Sequence, residues 1–76
     1  MEIGNTLILS NKNEYAIVDK YDDNGTTYIY LVDINNNTNF IFGKIVGNSV
    51  ETLTDPDELE KVIKTVNDRL HNTTNN

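Results

Sequence analysis

The dipeptide Asn24-Gly25 leads directly into the longest run of β-forming residues in the chain, Thr26-Thr27-Tyr28-Ile29-Tyr30-Leu31-Val32-Asp33-Ile34. Asn-Gly before such a run is the strongest short-range signal for a tight hairpin, because both residues tolerate positive φ. Side chains alternate along a strand, so Tyr28, Tyr30, Val32 and Ile34 share one face and Ile29 and Leu31 the other. A strand with one wet face would alternate apolar with polar residues. Here both faces are apolar and both need a cover. A helix can supply one; the other requires a curled sheet or a second chain.

The flanking sequence supplies both kinds of cover. Thr6–Ser10 and Glu14–Tyr21 read as strands joined by the turn cluster Asn11-Lys12-Asn13, and Asp22-Asp23-Asn24-Gly25 forms the second turn. Tyr15, Ile17, Asp19 and Tyr21 are expected on one face of the second strand, with Ala16 and Val18 on the other. Asn35–Asn39 breaks the pattern and reads as an exposed loop. Phe40–Val46 is a fourth strand, in which Gly43 signals a bulge or the close approach of another backbone. Gly47-Asn48 fits a two-residue turn with glycine first, leading to a short fifth strand, Ser49–Leu53. Short consecutive connections make the sheet an antiparallel meander.

One helix follows. Asp55 is a good N-cap, Pro56 suits the first helical position, and Glu58 stands where a capping box places its acid. Leu59, Val62, Ile63, Val66 and Leu70 recur at helical spacing and form an apolar stripe. Glu60 and Lys64 form an i,i+4 pair on the other face, and Arg69 suits the negative end of the helix dipole. The expected fold is α+β: a strongly curled five-stranded antiparallel meander with one C-terminal amphipathic helix across a face. Residues 1–70 make a single domain, and residues 71–76 read as a flexible polar tail.

With 76 residues, the chain has room for one domain and little room for a deep internal site. Cysteine is absent, which excludes disulfides, thiolate metal sites and cysteine nucleophiles. With no basic-then-apolar leader at Met1-Glu2-Ile3-Gly4, this points to a reducing, cytoplasmic setting. No apolar stretch approaches the roughly 20 residues that span a bilayer. Twelve acids against six bases give a net charge of −6, which opposes direct binding to nucleic acid and to anionic membrane surfaces.

Candidate chemistry is sparse. His71, the one histidine, has no nucleophile near it in sequence and reads as a solvated residue at a helix end. Asp22-Asp23-Asn24-Gly25 does not complete a calcium loop, since Lys20 stands at the first ligand position and Leu31 at the closing one. Asp19 and Asp33 could face each other on neighbouring strands as a metal-binding or hydrolytic carboxylate pair. Tyr15, Tyr21, Tyr28 and Tyr30, with Phe40 and Phe42, form a dense aromatic set. Base stacking would need accompanying cations, so they read as core or as a homodimer face. Asp55, Asp57 and Glu58 are explained by capping, but with Glu51 and Glu60 they make an acidic surface. That surface could face a basic protein partner, or imitate DNA phosphates as a phage or mobile-element inhibitor does.

The run Tyr15-Ala16-Ile17-Val18-Asp19, then Gly25-Thr26-Thr27-Tyr28-Ile29-Tyr30-Leu31-Val32, then a β segment and a helix opening with Asp57-Glu58-Leu59, resembles the YrzB-type small acidic proteins of low-GC Gram-positive bacteria. The resemblance spans about residues 5 to 66. It implies a cytoplasmic bacterial protein, no known activity and no functional residues to carry over. The sequence-level expectation is therefore a non-enzymatic protein-interaction module without cofactor or metal. Its candidate contact residues are Tyr15, Tyr21, Tyr28, Tyr30, Glu51, Asp57 and Glu60.

Overall fold

The computed structural model describes residues 2–74. Five strands form one antiparallel sheet in sequence order: β1 (Thr6–Ile8), β2 (Glu14–Asp23), β3 (Thr26–Asp33), β4 (Phe40–Val46) and β5 (Ser49–Thr52). A helix, α1 (Pro56–Thr74), follows. The sheet curls into a half-barrel and α1 lies on its outer face. The two tight turns have the geometry their residues call for. Asn24 and Gly25 both take positive φ, 52° and 82°, as a type I′ hairpin turn requires, and Gly47 takes 62°.

The curl makes two cores, one on each face of the sheet. Inside it, Tyr15, Ile17, Ile29 and Leu31 are almost fully buried and meet Leu7, Leu9, Ile41, Ile45 and Val50. Outside it, Leu53, Val62 and Val66 are buried among Tyr21, Tyr28, Tyr30, Phe42, Leu59 and Leu70. The inward cover that the central strand demands is thus the sheet itself, and the outward cover is α1.

A β-bulge in β2 divides the residues between the two cores. Counting back from the Asn24-Gly25 turn, Tyr21 faces Tyr28 and Asp19 faces Tyr30. The register then shifts, so that Ile17 faces Leu31 and Tyr15 faces Asp33, with Val18 the extra residue. The expectation that Tyr15, Ile17, Asp19 and Tyr21 share a face is therefore corrected. Tyr15 and Ile17 point into the curl, while Asp19 and Tyr21 point towards the helix. Without the bulge the inner core would lose a tyrosine and an isoleucine.

Gly43 is no bulge but a close approach. An added Cβ would lie 2.9 Å from both the Glu51 carbonyl oxygen and Val50 Cγ1 on β5. The helix starts as expected: the Asp55 carboxylate accepts from the Glu58 N–H at 2.9 Å. The Glu58 side chain does not complete a capping box, because it accepts from the Tyr28 hydroxyl at 2.9 Å instead. The helix also continues through His71 to Thr74, where a tail was expected; residues 75 and 76 lie outside the described residues.

The sheet ends at β1 on one side and β5 on the other. Successive strands alternate in direction, so these two edges point the same way. The Asn5 carbonyl accepts from Ile17 N–H at 2.9 Å, and Leu9 N–H donates to the Asn13 carbonyl at 3.1 Å. The two-residue alternation of an antiparallel ladder then turns the backbone groups of Thr6 and Ile8 away from β2. On β5, Leu53 N–H donates to the Phe42 carbonyl at 2.9 Å, which turns those of Val50 and Thr52 away from β4.

Candidate functional site

Among the described residues three ion pairs join the helix to the sheet, and the shortest is that of Arg69 with Asp19. Arg69 Nε and Nη2 donate to the two Asp19 carboxylate oxygens at 2.8 and 2.9 Å, and Lys20 N–H donates to Asp19 at 2.9 Å. The guanidinium lies 5.3 Å from the centre of the Tyr21 ring and also reaches the Lys20 carbonyl. Asp19 is 4% exposed. Its hydrogen bonds from Arg69 hold the carboxyl below its usual range, against the opposing effect of burial. The same pair raises the Arg69 pKa. Asp19 is thereby fixed as an acceptor anion that anchors the helix, a poor arrangement for a proton donor.

Asp33 sits on the other face. It accepts from Asn39 Nδ2 at 3.2 Å and from Asn35 N–H at 2.8 Å, while Asn39 and Asn11 both donate to the Tyr15 hydroxyl. This network ties the 34–39 loop and the 9–13 turn to the end of the curl. The bulge has placed Asp19 opposite Tyr30 and left Asp33 opposite Tyr15. The two carboxylates therefore project from opposite faces and the structure does not bring them together as a pair. Among the described residues no cluster of three or more His, Cys, Asp or Glu is placed to hold a metal ion.

The remaining predicted contact residues divide sharply. Tyr15 is 1% exposed and belongs to the inner core. Tyr21, Tyr28 and Tyr30 are half-buried under α1, with Tyr30 stacked on Phe42 and Tyr28 bonded to Glu58. That bond to a carboxylate raises the Tyr28 pKa, because ionising the hydroxyl would remove the donor. Glu51, Asp57 and Glu60 are exposed. Glu60 makes no ion pair with Lys64; the pairs of the helix reach the sheet instead, among them Lys61 with Asp23 at 3.1 Å.

The charges are committed unevenly. Of the six Lys and Arg, four are ion-paired within the chain: Lys20 with Glu2, Lys44 with Glu58, Lys61 with Asp23 and Arg69 with Asp19. Among the described residues, Glu51, Asp57, Glu60 and Asp68 have no such cation. Ile63 shares one face of α1 with Glu60 and Asp68 and adjoins apolar surface that was not among the candidate contact residues. Phe40 is 51% exposed and Ile63 is exposed on the rim of α1, where with Phe42, Leu53 and Leu59 they line a shallow cavity of about 250 Å³. The helical stripe is therefore wider than the face α1 buries. That width, five apolar positions with Ile63 off centre, was the available signal.

No protein-family model, characterised protein or solved structure is matched by this chain. Among the described residues, no helix is long and apolar enough to cross a membrane.

Proposed function

We propose that the chain is a small, acidic, non-enzymatic protein-interaction module that engages a basic partner. The observation that carries this reading is the uneven commitment of charge. Most of its cations are spent on its own acids, and Glu51, Asp57, Glu60 and Asp68 are left to present a negative field. The exposed Phe40 and Ile63 give that field an apolar neighbour, the mixture that a docking partner desolvates. The cytoplasm, where cysteine-free domains are at home, is the compartment that goes with this reading.

The test is affinity capture from a bacterial lysate, with Glu51→Lys/Asp57→Lys/Glu60→Lys as the control bait. Retention of a basic protein that weakens from about 50 to 500 mM salt and disappears with the control is the expected outcome. Retention indifferent to both would overturn it. A captured nucleic-acid enzyme would specify the partner as one whose phosphate-binding site the carboxylates imitate. Exposed Ile8, Ile34, Phe40, Val46 and Ile63 favour a second reading, a homodimer, which sedimentation at increasing concentration separates from the first.

A further inference from the structure

The seam between the two edge strands is a second feature of the surface. A cavity of about 370 Å³ opens there, lined by Leu7, Ile8 and Leu9 on one side and Val50 and Thr52 on the other. Its floor is the inner core, which Leu7, Leu9 and Val50 join. Its walls are the outward backbone groups of Thr6 and Ile8 and of Val50 and Thr52. Ile8 is 69% exposed on this edge, an apolar residue where proteins that merely protect an edge place charge or proline. Because β1 and β5 run in the same direction, they could close on each other only as a parallel pair. A strand laid between them runs antiparallel to both and satisfies both rows of backbone groups.

From this we infer that the β1–β5 seam binds an extended segment of a partner protein as a sixth strand, antiparallel to both edges. The segment is apolar at every second position and basic at the positions between. The alternation follows from the walls: inward residues meet Leu7, Leu9 and Val50, and outward residues lie beside Ile8 and Glu51. Charge selects the occupant. Glu51 is exposed and, among the described residues, without an ion pair, and Glu14 flanks β1 through its 2.6 Å bond from Thr6 Oγ1. A second copy of this chain would bring like charges to the seam, whereas lysines on a foreign strand meet opposite ones. The inference rests on the reading of the chain as an interaction module and names the backbone geometry of one contact.

The probe is a pool of nine-residue peptides in which lysine alternates with Val, Ile or Leu, added to the full chain labelled for amide exchange. Exchange at Thr6, Ile8, Val50 and Thr52 should slow at least tenfold. A pool with alternate backbone nitrogens methylated should leave it unchanged. Thr6→Pro removes an outward N–H and the exposed bond to Glu14 but no backbone bond of the β1–β2 ladder. It should weaken binding at a nearly unchanged melting temperature, and more than Thr6→Val, which loses the bond to Glu14 alone. Glu51→Lys should weaken it about threefold, the scale of one cross-strand charge pair. Unslowed exchange at those four amides with the pool in saturating excess would overturn the proposal. So would equal slowing by the methylated pool, or slowing that grows with protein concentration alone. Salt-sensitive lysate capture with the four amides unmoved sinks the seam and leaves the module reading standing; the reverse result sinks the acidic docking surface and leaves the seam.

Discussion

Arg69 and Asp19 are 50 residues apart in sequence, and their contact decides how the helix sits. Arg69→Met removes both donors and leaves a buried carboxylate with Lys20 N–H as its partner. We expect a loss of about 1–3 kcal/mol at pH 7, the cost of stranding a buried charged acceptor beside a half-exposed arginine. The pH dependence has a definite sign. Asp19 titrates lower in the folded chain than in the unfolded one, so the pair's contribution is complete above the unfolded value, about 3.9. It disappears as pH falls through the folded value. Urea titrations of the two proteins from pH 7 down to 2 should show their stabilities converging in acid; a constant gap would contradict the assignment. Gly43 offers a second test at this scale. Replacing a strand glycine with alanine ordinarily stabilises by roughly 0.5–1 kcal/mol, but here the Cβ meets the Glu51 carbonyl. Gly43→Ala should instead destabilise by about 1–3 kcal/mol in thermal melts.

The elements were legible in the sequence to different degrees, for physical reasons. Local chemistry fixed the turns and the helix start: Asn24, Gly25, Gly47 and Asp55 each do what their φ preference or side-chain oxygen allows. Runs of β-forming residues between turn signals located the five strands, and the short connections gave their order. The bulge at Val18 left no such mark, because every residue from Tyr15 to Val18 is an acceptable strand residue and only packing selects which one is extra. The Arg69 clamp was hidden for the same reason: helix periodicity says which side chains share a face, not what stands opposite them. Glu58 looked like a cap and found Tyr28 instead. Within the helix, Val62 is the buried centre of the contact, at 1% exposure. Val62→Asp places a charge there without a partner. The loss should be of the order of the whole stability of a chain this size, about 4–11 kcal/mol at 0.05–0.15 per residue. Circular dichroism should show the variant unfolded at 25 °C, and a native melting curve would contradict the docked helix.

At the scale of the whole molecule, β2 and β3 are shared walls. Tyr15 lies on one side of them and Tyr28 and Tyr30 on the other, so neither core can be emptied without exposing the sheet that bounds its neighbour. One cooperative transition is therefore expected. Near-ultraviolet dichroism, which reports the tyrosines, and far-ultraviolet dichroism, dominated by the helix, should give coincident midpoints in urea. Separate midpoints would mean that α1 leaves before the curl opens. The acidic surface and the open seam are also properties of the whole, since the first joins β5 to the helix and the second joins β1 to β5, elements distant in sequence. The acids of the first were visible in the sequence at Glu51, Asp57 and Glu60, whereas no stretch of residues announced the seam. Composition gave the sign of the charge, and only the fold shows which carboxylates keep it.

The extra residue in β2 also guards the hairpin against slipping. The strand delivers its first side chains to one compartment and its last to the other, so a displacement by one place would miscast both sets together. A misaligned β2 would present Ala16 and Val18 to the inside and turn Tyr15 and Ile17 out. Pairing that grew from the turn without the extra residue would seat Asp19 and Tyr21 correctly and fail only at Ile17 and Tyr15, so the inner core is what selects the native alignment.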